Sequence, residues 1–469
     1  AHSKMLHPLC GKPICFWVLD AAIAANQGPV VAVVRQPENP VAMCIKQHYG
    51  NKVTLVFQEQ PQGTGHAVQT ALSAIDPSCK RVLVLYGDTP LLRSKTLQLL
   101  VNQHEQSNAL VALLTSRSDN PAGYGRIVRN AQGNITEIVE EKQANAQQKQ
   151  LTEMNPGVYV FAYDFLVHAV PALSLHESVQ EYQLTDLIAL AQCQTSKQSV
   201  AVTDLPVCEQ DILGVNDRKQ WACAQDTLRQ RIVQHWMSKG VSCVDPQRTY
   251  IDAECVLHQD VVLEPGVMLR GRCCLHQNVH VSAGCILTDC TLEQEVCVLP
   301  YSVCEGMHAQ QQARIGPFAR IRPETIIGEQ VRVGNFVEVK ASVFKQGAKV
   351  NHLAYVGNAH VGQNSNVGAG AVVCNYDGVA KHETHLDRDV FVGSNSTLVS
   401  PVRLGQGAYV AAGSVITQDV ADNDLAIARG KQCIKEGAAL ALRKRLKQHV
   451  GSGRLKNTQH VEQTNESKV

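Results

Sequence analysis

An aliphatic residue recurs at every sixth position through much of the second half of the chain. The series begins at Ile251 and runs without a break to Leu287. A period of six is too long for an α-helical turn of about 3.6 residues, and it does not match the simple alternation of a single strand. It is typical of a parallel β-helix, in which each hexapeptide forms one flat side of a coil and three sides close it. The aliphatic residues then point inward and stack from coil to coil.

The phase of this repeat slips after Leu287 and returns from Ile315, from Val361 and from Val392, ending at Ile416. We therefore expect a left-handed parallel β-helix of hexapeptide repeats over residues 241–430. Residues 431–469 would add a C-terminal helix and a polar tail. Residues 217–240 place two tryptophans and two aliphatic residues at helical spacing, which predicts a linker helix that packs against a neighbour.

The first half follows a different pattern, in which short aliphatic runs alternate with helix-like segments. The runs are 29–34, 53–57, 81–86 and 109–115. Continuous apolar strands separated by helices predict a parallel sheet covered on both faces, here an α/β Rossmann-like domain over residues 1–216. Such sheets bind ligands at the C-terminal ends of their strands, which directs attention to residues 87–90.

Composition excludes several classes of partner. Lysine and arginine number 43 against 42 aspartate and glutamate, so nothing draws the chain generally to nucleic acid or to an anionic membrane. No apolar stretch approaches membrane-spanning length, and we expect no signal peptide because nothing in the N-terminal segment resembles its charged and apolar regions. The 17 cysteines contain no CxxC pair and lie among aliphatic residues, which indicates small buried hydrophobes. We expect a cytoplasmic protein.

Polar clusters follow the apolar strands of the first half. Residues 58–67 (QEQPQGTGHA) supply glycines before a helix, where backbone N–H groups can approach a base or a phosphate. Residues 86–91 (YGDTPL) place Asp88 at a strand end, a position suited to Mg²⁺. Each is weak alone, since a GTG is often only a turn and an Asp after a strand is often only a cap. Further clusters stand at 123–127 (GYGRI), 139–142 (VEEK), 154–161 (MNPGVYVF) and 214–217 (GVND).

Together and in this order, the clusters resemble the sugar-1-phosphate nucleotidylyltransferases. Joined to a hexapeptide helix, they are similar to the bifunctional bacterial family of N-acetylglucosamine-1-phosphate uridylyltransferases/glucosamine-1-phosphate acetyltransferases. The resemblance extends over about residues 3–440. It implies UTP and acetyl-CoA as co-substrates, Mg²⁺ as cofactor, and UDP-N-acetylglucosamine, a precursor of peptidoglycan and lipopolysaccharide, as product.

The resemblance implies roles for individual residues of the first half. Lys4 would contact phosphate, and Asp88 would bind Mg²⁺ together with Asn216. Gln58, Gly63 and Thr64 would hold the uracil, and Gly125, Glu140 and Asn155 would contact the sugar. The residues implied for binding UDP-N-acetylglucosamine are Lys4, Gln58, Gly63, Thr64, Tyr86, Gly87, Asp88, Gly125, Glu140, Asn155 and Asn216.

The first half departs from the family at two places. The family's first strand and its LAAGxGTRM-type loop should precede Lys4, and Ser3 stands where the family usually has proline. From this we expect an N-terminally truncated uridylyltransferase domain. The family's Asn-Thr-Gly also appears as Asn155-Pro156-Gly157, which removes one hydroxyl and one N–H near the sugar.

Four polar segments interrupt the repeat of the second half, at 318–323 (FARIRP), 335–340 (NFVEVK), 351–357 (NHLAYVG) and 375–378 (NYDG). A coil does not need Arg322, Lys340, His352 or Tyr355 for packing. Cationic and hydroxyl groups gathered on one face indicate an anion site, and a histidine beside them indicates a base. Alone, His352 would be interpreted as an exposed or hydrogen-bonded loop histidine.

The same resemblance makes His352 the general base that takes a proton from the glucosamine 2-amine. It implies binding of the sugar phosphate by Arg322, Lys340, Tyr355 and Asn366. It implies an acetyl-CoA cleft lined by Ala369, Asn375, Tyr376, Ser394, Ala412 and Arg429, with Asn375 orienting the amine or polarising the thioester. The family also implies a homotrimer with acetyl-CoA bound between subunits, so a monomer should be a poor acetyltransferase.

Three hypotheses remain open at this point. The first is a bifunctional enzyme that acetylates glucosamine-1-phosphate and then uridylylates the product. The second is an acetyltransferase whose truncated N-terminal domain is an inactive scaffold. The third is a non-catalytic hexapeptide scaffold, which would not need Arg322, Lys340, His352 and the 375–378 loop together.

Overall fold

A computed structural model describes residues 3–25, 28–177, 179–194 and 200–448. These residues form an α/β domain, a long connecting helix and a parallel β-helix, and residues 438–448 are again helical. Residues 449–469, which include the predicted polar tail, lie outside the described residues. The α-helices are α1 (Ile14–Ala25), α2 (Pro40–Tyr49), α3 (Thr64–Leu72), α4 (Ser94–Ser107), α5 (Tyr163–Ala169), α6 (Asp186–Gln194) and α7 (Arg218–Ser238).

The strands of the N-terminal domain are short, and four of them coincide with the aliphatic runs of the sequence. They are β1 (Pro8–Leu9), β2 (Lys12–Pro13), β3 (Val30–Val34), β4 (Val53–Phe57), β5 (Arg81–Val84), β6 (Val111–Arg117), β7 (Gly125–Arg129), β8 (Ile135–Val139), β9 (Glu153–Asn155), β10 (Tyr159–Ala162), β11 (Leu175–His176), β12 (Glu181–Tyr182) and β13 (Val202–Pro206).

The main sheet has the strand order β5-β10-β6-β9-β7-β8, with β13 beside β6. The expectation of a parallel sheet is correct for β13 beside β6 and for the separate pair β3-β4. It is wrong for the rest of the sheet, because β10 runs antiparallel between β5 and β6, and β9 and β7 are also antiparallel to their neighbours. An apolar run shows that a strand is buried on both faces, but it does not show the direction of the strand.

Helices cover both faces of the main sheet around β6. Val111 and Leu113 of this strand belong to one apolar core, and Ala112 and Leu114 belong to another. All four are 0 % exposed. Alternate residues of a strand point to opposite faces, so this division places a core on each side of the sheet.

Helix α7 connects the two domains and packs against both of them. The side chain of Asp217 accepts a hydrogen bond from the Gln220 N–H and so caps the start of the helix. Leu228 is buried with the N-terminal strands, whereas Trp236 packs against the core of the β-helix. The predicted aromatic and aliphatic stripe is therefore a packing surface.

The β-helix has three flat faces, each a parallel sheet. The first face consists of Ser242–Cys243, Val262–Leu263, His280–Val281, Cys297–Val298, Arg314–Ile315, Arg332–Asn335, Lys349–His352, Asn366–Val367, Phe391–Val392, Tyr409–Val410 and Leu425–Ala426. The second consists of Tyr250–Ile251, Met268–Arg270, Ile286–Thr288, Val303–Glu305, Arg320–Ile321, Glu338–Lys340, Tyr355–Gly357, Val372–Cys374, Thr397–Val399 and Val415–Ile416. The third consists of Val256–Leu257, Cys274–Leu275, Thr291–Leu292, Met307–Ala309, Thr325–Ile327, Val343–Phe344, Ala359–Val361, Thr384–Leu386 and Val402–Leu404.

The aliphatic residues of the hexapeptides fill the interior of this prism. None of the repeat residues from Ile251 to Leu287 is more than 4 % exposed. Leu269 pairs with Leu287 in the next coil, and Leu287 pairs in turn with Cys304. The second of these coils is shorter than the first by a single residue, which explains the slip of phase after Leu287. A longer coil, from Val373 to its partner Leu398, explains the last slip.

Two expectations from composition can be compared with the described residues. No helix among them is both long and apolar enough to cross a bilayer. All 17 cysteines are free thiols, and several are buried in the prism, as predicted. The buried ones are Cys255, Cys273, Cys285, Cys290 and Cys304.

Candidate active sites

Lys4, Asp88 and Asn216 meet just beyond β5 in the N-terminal domain. The Nζ atom of Lys4 lies 2.8 Å from Oδ2 of Asp88 and 2.8 Å from Oδ1 of Asn216. A Cβ atom at Gly87 would stand 3.8 Å from Sδ of Met5, so position 87 faces the segment that carries Lys4. The structure thus brings together the residues predicted to contact phosphate and Mg²⁺, and the two oxygens converge on a positive charge.

Hydrogen bonds to the backbone fix the Asn216 segment beside Asp88. The Val215 N–H donates to the carbonyl oxygen of Asp88 at 2.9 Å. The Gly214 N–H donates to the Tyr124 hydroxyl at 3.0 Å. These contacts hold the Asp88 and Asn216 side chains next to each other, which pre-organises two oxygen ligands.

Gly125, Glu140 and Asn155, predicted to contact the sugar, meet at the start of β7. Gly125 pairs with Asn155 across β7 and β9. A Cβ atom at Gly125 would stand 3.7 Å from Cβ of Asn155 and 3.7 Å from Oε2 of Glu140. The missing side chain therefore leaves room beside one carboxylate and one amide, the groups that can hydrogen-bond to sugar hydroxyls.

Glu140 is a half-buried carboxylate. The hydroxyl of Thr185 donates a hydrogen bond to its Oε1 at 3.1 Å. Burial raises the pKa of Glu140, and the nearby carboxylates of Asp186 and Glu181 raise it further. The carboxyl group consequently holds its proton to a higher pH than an exposed glutamate does.

Asn155 is oriented by hydrogen bonds from both ends of its amide. Its Nδ2 donates to the Tyr159 hydroxyl at 2.6 Å, and its Oδ1 accepts from the Gly157 N–H at 3.1 Å. Gly157 has a φ of 77°, and a Cβ atom there would overlap the Tyr86 ring, so glycine is needed on both counts. Burial raises the pKa of Tyr86 to about 12, which keeps its phenol neutral. Pro156 does not prevent this arrangement.

Gln58, Gly63 and Thr64, predicted to hold the uracil, lie around the start of α3. The Nε2 atom of Gln58 is 2.8 Å from Nδ1 of His66 and 3.3 Å from the carbonyl oxygen of Gly63. The Thr64 hydroxyl accepts a hydrogen bond from the Leu184 N–H at 3.1 Å, and its proximity lowers the pKa of Tyr86 against the larger effect of burial. Tyr86 therefore lies between the predicted uracil residues and the predicted sugar residues.

In the β-helix, His352 stands at the corner where the first face turns into the second. Asn335 occupies the same register one coil earlier. The Nδ1 atom of His352 lies 2.9 Å from Oδ1 of Asn335. Because an amide oxygen only accepts, Nδ1 carries the proton and Nε2 keeps its lone pair. This tautomer is the one that a general base needs.

A cationic cluster consisting of Arg322, Lys340 and Lys381 lies on the second face. Lys340 is one coil beyond Arg322, and Lys381 reaches it from the loop 375–383. The nearby positive charges of Lys381 and Arg322 lower the pKa of Lys340. Arg322 also forms an ion pair with Glu338 at 3.0 Å. Cations held this close together suit a phosphate group.

Gly357 forms a flat floor next to this cluster. It pairs with Lys340 in the register of the second face. A Cβ atom at Gly357 would stand 2.5 Å from the Tyr355 hydroxyl and 2.8 Å from Nδ2 of Asn375. Asn375 is buried, and its Nδ2 donates to Oδ1 of Asn358 at 2.7 Å. The predicted Tyr355 and Asn375 therefore border the same floor.

Four residues predicted to bind acetyl-CoA form a column along the corner of His352. Hydrogen bonds of 2.7–3.2 Å join each coil of the column to the next, the last of them from the Arg429 guanidinium to the Ala412 carbonyl. Tyr376 lies apart in the loop 375–383, where it is 60 % exposed. In order from His352, the column consists of Ala369, Ser394, Ala412 and Arg429.

The predicted acetyltransferase residues are divided between two faces of the β-helix. Asn366 is in the first face, whereas Lys340 and Tyr355 are in the second. His352 stands at one corner, and Gly357 ends the strand that follows. At about 3.3 Å per residue, the five residue steps from His352 to Gly357 correspond to at most roughly 16 Å of chain.

Sequence reasoning missed two residues that the structure places in the sites. Lys381 lies shortly after the NYDG segment at 375–378, and the loop folds it back onto Lys340. Asn335 begins the NFVEVK segment but was not selected. Its position one full coil before His352 is the signal that could have identified it.

Comparison with known proteins agrees with the division of the chain into an N-terminal α/β domain and a C-terminal β-helix. A family model for the MobA-like NTP transferase domain matches residues 1–154, and one for the GMPPB C-terminal domain matches residues 303–434. The bifunctional protein GlmU of Sorangium cellulosum is 41 % identical over 451 residues, which cover 95 % of this chain and 94 % of that protein.

This chain belongs to the GlmU family. The GlmU of Geobacillus sp. is 40 % identical over 433 residues, with 92 % of this chain and 93 % of that protein covered. The GlmU of Marinobacter nauticus is 41 % identical over 429 residues, with 92 % of each covered. GlmU family membership makes the chain a bifunctional enzyme with a nucleotidyltransferase half and an acyltransferase half.

Proposed function

We propose that the protein acetylates glucosamine-1-phosphate with acetyl-CoA and then transfers UMP from UTP to the product, which gives UDP-N-acetylglucosamine and pyrophosphate. The observation that carries this proposal is the pair formed by His352 and Asn335, at the foot of the Ala369–Arg429 column and one strand away from the cationic cluster. A histidine fixed as a base between these two regions supports acyl transfer to an amine on a phosphorylated sugar.

In the acetyl transfer, the 2-amine of the sugar attacks the thioester carbonyl carbon. Nε2 of His352 accepts a proton from that amine, the C–S bond breaks, and the thiolate of CoA leaves and takes up a proton. Arg322, Lys340 and Lys381 bind the 1-phosphate by charge-assisted hydrogen bonds. Asn375 is placed to orient the amine from the edge of the Gly357 floor.

In the uridylyl transfer, a phosphate oxygen of the acetylated sugar attacks the α-phosphorus of UTP, and the bond to pyrophosphate breaks. Lys4 neutralises charge on the phosphates, while Gly125, Glu140 and Asn155 position the sugar. No covalent enzyme intermediate is required, because positioning and charge stabilisation supply the catalysis.

Asp88 and Asn216 are the residues that would hold Mg²⁺. Their oxygens, each 2.8 Å from the ammonium of Lys4, already surround a cation, and oxygen donors are the ones Mg²⁺ prefers. When bound, the ion supplies a Lewis acid that offsets charge on the phosphate oxygens.

We further propose that the acetyltransferase works as a homotrimer. Tyr301, Phe318, Phe336 and Leu353 occupy one corner in four successive coils and are 48–64 % exposed. All four have a backbone φ between 52° and 58°, a conformation unfavourable for bulky side chains. The three aromatic rings stack on one another, with neighbouring ring centroids 5.4 Å apart. An exposed apolar ridge beside His352 suits a neighbouring subunit that joins the two half-sites.

Separate assays of the full chain test the two activities. Release of CoA thiol should require glucosamine-1-phosphate and fall by ~10²–10⁴-fold in His352→Ala. Formation of UDP-N-acetylglucosamine from UTP and the acetylated sugar phosphate should require Mg²⁺ and be lost in Asp88→Ala. Thiol release without any uridylyl transfer would favour an acetyltransferase with an inactive first domain, and neither reaction would favour a scaffold. The free thiols support our placing this chemistry in the cytoplasm.

A further inference from the structure

Three side chains with metal-binding atoms meet on the third face of the β-helix, in its first and second coils. They are His258, Cys274 and His276. One ring nitrogen from each histidine and Sγ of Cys274 all lie within 4.8 Å of one another. The two imidazole rings stack with their centroids 4.8 Å apart, and Sγ of Cys274 is 3.8 Å from Nε2 of His276.

The coil geometry accounts for this meeting. Leu257 and Leu275 pair in the register of the third face, and both are buried in the prism. Residues on either side of an inward-facing residue point outward, so Cys274 and His276 project from the same side of their strand. His258 follows Leu257 as His276 follows Leu275, which places one imidazole directly beneath the other.

We propose that His258, Cys274 and His276 bind a divalent transition-metal ion of the Zn²⁺ type. Two imidazole nitrogens and one thiolate match the preference of Zn²⁺ and Co²⁺, whereas Mg²⁺ requires oxygen ligands. With bonds of about 2.0–2.3 Å, tetrahedral ligands stand roughly 3.3–3.7 Å apart, so the three atoms need to approach by only about 1 Å. Cys274 loses its thiol proton on binding, and water completes the coordination.

The surroundings distinguish Cys274 from the cysteines that only fill space. Cys255, Cys273 and Cys290 are at most 3 % exposed and line the interior. Cys274 and His276 are half-buried on the outer surface, and His258 is exposed, so an ion can enter from solvent. The pattern is also visible in the sequence, since one full coil separates His258 from His276.

A second cluster provides an internal comparison. His360, Glu383 and His385 also have ligand atoms within 4.8 Å of one another, but all three side chains are exposed and none offers a thiolate. Glu383 is hydrogen-bonded to His385 at 3.1 Å. Exposed clusters of this kind are common as simple hydrogen-bonded groups, so the proposal is confined to the site with Cys274.

A bound ion would tie the first coil of the third face to the second. Val256–Leu257 is the first strand of this face, and the end of a solenoid has packing partners on one side only. A metal bridge between His258 and the strand of Cys274 would therefore stabilise the end of the β-helix that adjoins α7.

Cobalt(II) is the probe for the test, because a cobalt–thiolate bond gives a charge-transfer absorption in the near ultraviolet. The chelator-treated chain, with both domains present, is titrated with Co²⁺ in a non-thiol reductant, with excess Mg²⁺ to occupy Asp88 and Asn216. We expect one equivalent of thiolate-bound Co²⁺, displaceable by Zn²⁺. The band should be lost in Cys274→Ser, and affinity should fall at least ~100-fold in His258→Ala and in His276→Ala.

Two control variants make the result specific. Cys297 occupies an equivalent half-buried position before an inward-facing Val298, and the neighbouring His280 is paired with Glu264 at 2.8 Å. Cys297→Ser and His360→Ala should both keep the absorption and the affinity, and Zn²⁺ should raise the unfolding temperature of the parent but not of Cys274→Ser. A band that survives in Cys274→Ser, that is lost equally in Cys297→Ser, or that never forms would overturn the proposal.

Discussion

Nδ1 of His352 lies 2.9 Å from Oδ1 of Asn335, in the same register of neighbouring coils. The contact decides which ring nitrogen is available as a base, and it exists only because one coil has brought these two positions together. Asn335 is therefore a positioning residue for the proposed acetyl transfer.

Substitution of Asn335 should impair acetyl transfer without affecting uridylyl transfer. In Asn335→Ala the imidazole loses its acceptor, so we expect kcat to fall about 10-fold or more, yet less than in His352→Ala. In Asn335→Asp the carboxylate also accepts a hydrogen bond from Nδ1, so much of the rate should be restored. The negative charge stabilises the imidazolium, so the acidic limb of the pH–rate profile should move to higher pH. An unchanged profile in Asn335→Asp, together with full activity in Asn335→Ala, would contradict the assignment.

Lys381 should bind the phosphate of the acetyl acceptor. A charge-assisted hydrogen bond contributes about 1.5–3 kcal/mol, so Lys381→Gln should raise KM for glucosamine-1-phosphate by roughly 10–100-fold with a smaller effect on kcat. Steady-state kinetics at fixed acetyl-CoA measure this. Lys345→Gln, an exposed lysine outside the cluster, is the matched control and should leave KM unchanged. Equal effects from both variants would mean that only net charge matters.

Gly357 should tolerate no side chain if its floor receives the substrate. In Gly357→Ala the new methyl group would stand 2.5 Å from the Tyr355 hydroxyl, which must move away. The Tyr355 hydroxyl and the Asn375 amide, 2.8 Å from the new methyl group, are both ends of side chains rather than backbone. The fold should therefore persist while acetyl transfer drops at least ~10-fold. Uridylyl transfer in the same preparation is the control, and normal acetyl transfer would show that the floor lies outside the site.

The stability of the fold should depend on whether the carboxyl group of Glu140 is protonated. Burial, with Asp186 and Glu181 nearby, raises its pKa above the usual 4.5, so the folded state binds the proton more tightly than the unfolded state does. The fold therefore loses stability as the pH rises from 4.5 through the raised pKa. Glu140→Gln keeps the acceptor for Thr185 and removes the charge, so we expect a higher unfolding midpoint than the parent at pH 7.

Thermal unfolding measured across pH tests this prediction. The increase in unfolding midpoint of Glu140→Gln over the parent should shrink as the pH falls. It should vanish near pH 4, where the Glu140 carboxyl of the parent is itself protonated and uncharged. The variant should also lose uridylyl transfer if Glu140 contacts the sugar. If the unfolding midpoint of Glu140→Gln at pH 7 were lower than that of the parent, the ionised Glu140 carboxylate would stabilise the fold, and the prediction would be wrong.

Much of the architecture was predictable, because periodicity is a local property. The six-residue spacing from Ile251 onward required an inward-facing aliphatic residue on each side of a coil, and these residues fill the prism. The position of strand-end residues such as Asp88 was also predictable, because the end of an apolar run marks the point where a buried strand reaches the surface. The direction of β10 was not, because an apolar segment packs equally well in either direction.

The periodicity of the amino-acid sequence is enough to predict the coils, their interior and the residue types available for chemistry. Which of those residues meet depends on the path of the folded chain. Asn335 reaches His352 only because one complete coil separates them, and Lys381 reaches Lys340 only because the loop 375–383 folds back. Likewise, His258 stands beneath His276 because the coil between them returns the chain to the same register. The length of each coil and the path of each loop set these distances. The distances therefore cannot be predicted from the residues adjacent in sequence.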